Sequence, residues 1–295
     1  MSTDEALLTP ELLAKLEAME LVSRKIFRGR MKGERRSRRK GQSVEFADFR
    51  NYVPGDDVRF IDWNTYARLD RLFLKMFIEE EDLHFYALID ASPSMDFGTP
   101  TKLHFAKRLA AALGFIGLVR GDRVRIQSLN PPAGKPIPVL RGRRCLWQML
   151  GYLEEIQQDD PIRLAEAVRN FTVRNTGKGI VVLISDLLDK EGYEAALRYL
   201  LAQDWDIYVI HVLSAEELEP DLAGDLRLVD CEDGDQAEVT ISGPLMKRYR
   251  QTVSAFINSA REFCTRRGIV YFPARNELSV EELITGYLRQ RGLVR

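Results

Sequence analysis

The stretch "YALIDASPSM", residues 86–95, decides how the rest of the chain is read. The apolar run Phe85–Ile89 ends in Asp90, and Ser92 and Ser94 follow at alternate positions. A short apolar run bounded by turn formers reads as a strand buried on both faces. Beyond it "KLHFAKRLAAALGFIGLVR" (102–120) is helical, with Gly121 as its stop. Strands and helices then alternate. "RVRIQSL" is a strand with "IPVL" returning beside it, and "CLWQMLGYLEEI" and "RLAEAVRNF" are helices. "GIVVLISD" and "DIYVIHVL" are strands separated by a helix at 190–203. A long helix at 245–267, the strand "GIVYFP" and the closing helix "SVEELITGYLRQRG" complete the series. This alternation predicts an α/β fold over 83–295, a doubly wound and mostly parallel sheet. One interruption, "LRLVDCEDGDQAEVTIS" (226–242), predicts a hairpin turning at Asp233-Gly234 and extending the sheet edge.

Residues 1–82 read as a separate N-terminal part. Thr9 is a helix cap with Pro10 after it, and Leu12, Leu13, Leu16, Met19 and Ile26 recur at helical spacing, so a helix is expected over 9–28. A basic stretch follows. Then "VEFADFRNYVPGDDVRFIDWNTYARLDRLFLKMFIEEE" (44–81) predicts a small β-containing lobe, with a turn at Pro54-Gly55 and a strand near 72–79. Its aromatic residues Phe46, Phe49, Tyr52, Phe60, Trp63 and Tyr66 are expected to pack a small core onto the α/β domain. Asp56, Asp57, Arg59, Asp62 and Arg68 are expected to form a local ion-pair and hydrogen-bond network. The block reads as lobe-forming first, and as a partner-recognition surface through Asp56, Asp57, Arg59, Asp62 and Trp63 second.

Composition narrows the function classes. The net charge of −1 over 295 residues names no partner. Its distribution says more: residues 24–40, "RKIFRGRMKGERRSRRK", carry ten basic residues and one acidic. Such asymmetry marks a contact surface or arm, with Arg35, Arg36, Arg38 and Arg39 at its densest point. Phe27 is its one aromatic residue, which does not suggest stacking on single-stranded nucleic acid. The three cysteines are scattered without a CxxC pair, compatible with a reducing compartment. No apolar run approaches the length of a membrane span, and the N-terminus is acidic. A cytoplasmic protein without stable membrane insertion is expected.

The chemistry is expected at the strand ends. Open α/β sheets bind ligands outside the carboxyl ends of their strands, where strand order reverses. Asp90, Ser92 and Ser94 leave one such end; Ser185, Asp186 and Asp189 leave another. If those strands are neighbours, carboxylates and hydroxyls converge on one rim, an oxygen set suited to Mg²⁺, Mn²⁺ or Ca²⁺. The plain alternative is a capped turn. The glycine-rich phosphate loop GxxxxGK[ST] does not occur.

Asp90-Ala91-Ser92-Pro93-Ser94 resembles the DxSxS signature of the von Willebrand factor A domain. The resemblance implies a metal-ion-dependent adhesion site at Asp90, Ser92, Ser94 and Asp186, holding Mg²⁺ or another divalent cation that a partner's carboxylate completes. The family's third element is a threonine, and Ile162 stands in the comparable stretch "DDPIRLAEAV", so the expected threonine ligand is absent; Asp159 and Asp160 are the nearest substitutes. A second resemblance is more specific. "EFADFRNYVPGDDVRFIDWNTYAR", "LKMFIEEED", "DASPSM", "RLVDCEDGD" and "GIVYFPARNELSVEELITGYLRQRG" are similar to the bacterial family called domain of unknown function 58, over roughly residues 20–295. Its members are generally encoded beside MoxR-type AAA+ ATPases, which implies a non-enzymatic adaptor for such an ATPase and a further client protein. The alternatives are a metal-dependent phosphatase-like enzyme and nucleic-acid binding through 24–40. The first lacks the second aspartate of haloacid-dehalogenase-like enzymes, since Ser92 holds that position.

Overall fold

The computed structural model describes residues 6–23, 44–79, 83–129, 138–158, 163–175, 177–231 and 234–295. The chain divides into two units, Met1–Ser23 with Leu83–Arg295, and Arg24–Asp82.

The larger unit is built on five parallel strands: β3 (His84–Ile89), β4 (Arg123–Ser128), β5 (Gly179–Ser185), β6 (Trp205–Leu213) and β9 (Val270–Arg275). Their order is β4-β3-β5-β6-β9. The chain runs outward from β3 to β4, then returns to β5 on the other side of β3, so strand order reverses between β3 and β5. Alternate residues of each strand face opposite sides of the sheet. Phe85, Ala87 and Ile89 enter one core with Ile180, Val182 and Ile184, while Tyr86 and Leu88 enter the other with Val181 and Leu183. Both faces are covered, which is why these strands read as unbroken apolar runs.

The first face carries α3 (Lys102–Arg120) and α4 (Leu146–Glu155). Helix α3 is apolar on nearly every side and is buried along its length, as an all-round apolar helix must be. Thr101 caps its start by accepting from the His104 amide at 3.2 Å. Gly121 ends it in the left-handed conformation, φ +80°, as expected of a helix-terminating glycine. The second face carries α5 (Leu164–Arg174), α6 (Glu194–Leu201) and α8 (Gly243–Arg266). The short α7 (Ala215–Leu218) follows β6, and a π-helical turn, Leu283–Leu288, continues the short α9 (Val280–Glu282) near the C-terminus. "IPVL" does return beside β4, through an antiparallel bridge between Val124 and Leu140.

Three expectations change. The N-terminal helix α1 is Pro10–Leu16 rather than 9–28, although Thr9 caps it as read, accepting from the Leu12 amide at 3.3 Å. Instead of continuing as helix, Leu21 bridges Val294. Leu7, Leu8, Leu12, Leu16 and Leu21 join the first core, so this segment belongs with the larger unit and not with a separate part spanning 1–82. The hairpin of β7 (Gly224–Val229) and β8 (Gln236–Ile241) forms as read, but as its own two-stranded sheet and not as an edge extension. Most of its side chains are exposed, so no apolar face draws it onto the main sheet.

In the smaller unit, β1 (Val44–Asn51) pairs antiparallel with β2 (Phe73–Glu79), with an irregularity between Phe46 and Asp48. Between them lie a single 3₁₀ turn, Val58–Phe60, and α2 (Trp63–Leu69). Ile61 and Leu74 are buried, and Phe49, Phe60, Trp63 and Tyr66 are exposed. Trp63 and Tyr66 meet edge to face, 6.1 Å between centroids. Among the described residues no helix is long and apolar enough to cross a membrane.

Leu16→Ala tests the placement of α1. Truncating this fully buried side chain is expected to cost about 2–5 kcal/mol of the larger unit's stability. The check is the midpoint of denaturant unfolding at unchanged slope.

Candidate functional site at the strand-order reversal

Strands β3 and β5 pair in parallel register from His84 with Gly179 to Ile89 with Ile184. Their carboxyl ends therefore deliver Asp90 and Ser185-Asp186 side by side at the reversal point, where open α/β sheets place their ligands. The Asp90 amide extends the ladder by donating to the Ile184 carbonyl at 3.0 Å. The Asp90 carboxylate is nearly buried. Its Oδ1 accepts from the Ser92 amide at 3.0 Å, and its Oδ2 accepts from the Ser185 hydroxyl at 2.6 Å. The Ser92 and Ser94 hydroxyls lie 3.0 Å apart and bond to each other. Asp90, Ser92, Ser94 and Ser185 thus come together as the sequence led one to expect.

Asp186 sits beside them but is committed elsewhere. Its Oδ2 lies 2.8 Å from Nζ of Lys102, a lysine with no exposed surface, and its Oδ1 accepts from the Leu188 amide at 3.1 Å. The same Lys102 Nζ lies 2.5 Å from Oε1 of Glu217. Glu217 is held in turn by a capping box on α7: its Oε2 accepts from the Ser214 amide at 2.7 Å, and its own amide donates to the Ser214 hydroxyl at 3.0 Å. One ammonium therefore ties together the end of β5, the start of α3 and the helix after β6.

The loop after β5 is tightly wound. Leu187 adopts φ +59°, a conformation that costs a non-glycine residue energy and that persists only where its surroundings impose it. Here its amide donates to the Ser185 hydroxyl at 2.9 Å. Asp189 accepts from the Leu164 amide at 2.6 Å, clipping the start of α5 to the rim. A cavity of about 10 Å³, roughly one water molecule in size, opens among Asp90, Ser92, Ser185, Leu188 and Asp189.

The electrostatics follow from burial. Loss of water pushes the Asp90 carboxyl above the usual carboxylate range, and the neighbouring Asp186 charge adds to this, against the hydrogen bonds from Ser185 and Ser92. Burial opposes the charge on Lys102, but Asp186 and Glu217 outweigh it and hold the ammonium above its ordinary range. His211, opposite Ser185 on β6 and 2.6 Å from the Tyr271 hydroxyl through Nδ1, is pushed down by burial to about 4.

As a divalent-cation set, Asp90, Ser92, Ser94 and Asp186 have one member, Asp186, already paired with a buried ammonium. The Asp186 charge is already met by the Lys102 ammonium, its other oxygen accepts from the Leu188 amide, and the Asp90 oxygens are turned toward the Ser92 amide and the Ser185 hydroxyl. Among the described residues no group of three histidine, cysteine or acidic side chains is placed to hold a metal. Asp159, Asp160 and Ile162 lie outside the described residues.

The expected network in the smaller unit resolves into local pairs. Asp56 meets Arg50 at 2.7 Å, Asp57 meets Arg59 at 2.6 Å, and Asp62 caps α2 with Lys75 at 3.5 Å. Hydrogen bonding from Thr65 holds the Asp62 carboxyl below its usual range. Trp63 is 58% exposed. Arg35, Arg36, Arg38 and Arg39 lie outside the described residues.

Lys102 and Glu217 were not singled out from the sequence, and both left a signal. A lysine in the first turn opposes the helix dipole, so its presence there asks for a local anion. Ser214-x-x-Glu217 is a capping-box pattern.

The model of the family described as "Protein of unknown function DUF58" matches residues 48–258. The chain is 30% identical over 251 residues to Uncharacterized protein Rv1480 of Mycobacterium tuberculosis, covering 83% of this chain and 79% of that one, and equally so to Uncharacterized protein Mb1516 of Mycobacterium bovis. Among solved structures, the conserved hypothetical protein BatB from Bacteroides thetaiotaomicron aligns with a TM-score of 0.42 at 16% identity, over 70% of this chain and 98% of that one. An aerotolerance-related membrane protein from Bacteroides fragilis, carrying multiple mutations to serines, aligns with 0.41 at 17%, over 70% and 99%.

Two titrations check the electrostatics. His211 is held neutral in the fold, so the unfolded chain takes up its proton first as pH falls. Stability on the order of 3 kcal/mol is lost between pH 6.5 and about 4, and His211→Gln flattens that slope in pH-dependent unfolding. Asp90 has the opposite sign. Its raised value favours the fold at low pH and is lost as pH rises through the folded value. Asp90→Asn is therefore expected to melt at or above wild type at pH 8, with the gap closing in acid.

Proposed function

The chain belongs to the DUF58 family, and from that premise we propose that it is a non-enzymatic, protein-binding adaptor whose larger unit is a domain of von Willebrand factor A type. Its partner in this reading is an AAA+ ATPase of the MoxR type, met in the cytoplasm, with a client protein as the further ligand. The observation that carries the reading is the rim at the reversal of strand order, where the loops after β3 and β5 stand side by side. Each loop presents an apolar side chain beside its buried polar groups, Phe97 from the first and Leu188 from the second, both 48% exposed. An apolar anchor next to a fixed polar frame is the composition of a protein contact whose affinity comes from a few central residues.

The chemistry of Asp90 argues against the phosphatase-like alternative. A nucleophilic carboxylate has to be ionised and free on one oxygen, whereas Asp90 is desolvated and engaged on both. The residue two positions on is Ser92, whose hydroxyl is bonded to Ser94. The smaller unit supplies a second contact surface. Among its described residues Asp56 and Asp57 pair with Arg50 and Arg59, and Trp63 and Tyr66 are exposed.

The test is calorimetric binding of the full chain to the MoxR-type ATPase of the same organism. Wild type binds, and Leu188→Asp weakens binding about tenfold or more with an unchanged melting temperature, as expected for an interface anchor. Trp63→Ala shows whether the smaller unit contributes. If wild type does not bind, or Leu188→Asp and Trp63→Ala both bind as wild type does, the adaptor reading fails. Mg²⁺-dependent turnover of a phosphate ester that disappears in Asp90→Asn would install the enzyme in its place.

A further inference from the structure

We propose that Lys102 is the permanent cation of this rim, supplying the positive charge that answers Asp186 and Glu217, and that the rim therefore works without a divalent ion. The proposal rests on the adaptor reading for what the rim binds, but not for how its charges are balanced. Lys102 is the first residue of α3, reached directly from the loop that begins at Asp90, and it has no exposed surface. Its ammonium lies 2.8 Å from Asp186 and 2.5 Å from Glu217. A hard cation needs several oxygens with free lone pairs converging on one point. Here the Asp186 charge is already answered by the Lys102 ammonium, and the Asp90 oxygens are turned toward the Ser92 amide and the Ser185 hydroxyl.

The arrangement is also built rather than incidental. An ammonium without contact with water persists only when it is paired and hydrogen-bonded, and breaking such a pair leaves an uncompensated charge. Glu217 is brought to Lys102 by a complete capping box, and Asp186 is oriented by the turn in which Leu187 takes a positive φ. Two independently positioned carboxylates thus converge on one fixed amine, as they would on an ion. The ammonium also meets like-charge repulsion with any divalent ion brought to the Asp186 carboxylate.

The experiment uses the full-length protein alone, so its outcome is independent of whether the ATPase binds. Mn²⁺ and Mg²⁺ are titrated by calorimetry into chelator-treated wild type, and melting is compared in chelator and in Mn²⁺. The expected result is no saturable binding and one melting temperature in both. Lys102→Ser removes the amine and opens space between Asp186 and Glu217. It is expected to melt lower than wild type in chelator and to recover part of the loss in Mn²⁺. Saturable binding by wild type that Asp90→Asn abolishes would overturn the proposal. So would a folded Lys102→Ser protein that responds to Mn²⁺ no more than wild type does. If Lys102→Ser does not fold, the wild-type titration decides alone.

Discussion

A charge cut off from water has to be answered where it stands, and Lys102 is the charge around which this rim is organised. Its ammonium lies under α3, between a carboxylate at the end of β5 and another on the helix that follows β6. Burying the pair is costly in itself, and leaving either partner alone is costlier, so the three elements are held in a fixed relation. The rim therefore has a rigid floor. The loops carrying Phe97 and Leu188 spring from residues that are individually bonded in place, which limits the ordering cost of anything that docks there.

The same rim shows where stability has been given up. Asp90 is a carboxyl in surroundings that disfavour its charge, and Leu187 is a non-glycine residue in a left-handed conformation. Neither is required by the five-stranded sheet, whose apolar faces would pack as well around a neutral turn. Local departures from the cheapest solution gather where a surface has work to do. In this molecule both lie just beyond two neighbouring strand ends.

The smaller unit follows another logic. Its polar residues cap and pair within a few positions of themselves: Asp62 with Asn64 and Thr65, Asp57 with Arg59, Asp56 with Val53 and Arg50. In the same described stretch Phe49, Phe60, Trp63 and Tyr66 are exposed. Composition gives the amount of apolar surface but not the face on which it lies, and in so short a segment the backbone has little to wrap around it.

What the sequence determined by itself is what local chemistry dictates. Unbroken apolar runs required strands covered on both faces, Thr9 and Gly121 marked helix ends, and the carboxylate and hydroxyls of "DASPS" had to emerge at a strand end. The family likeness read from the "PGDD" block was legible for the same reason, since it is a matter of residues in a row. What only the tertiary structure decided is who meets whom. Asp186 was placed correctly at a strand end, yet its partner, Lys102, is 84 residues away along the chain, and Glu217 is 115 from that lysine. The N-terminal segment had helical spacing to Ile26, but the bridge from Leu21 to Val294 outweighed it and helix α1 stops at Leu16. The physical reason is common to both: a side chain's charge and size are written in its identity, whereas the neighbours that neutralise or bury it are fixed by strand order and helix packing.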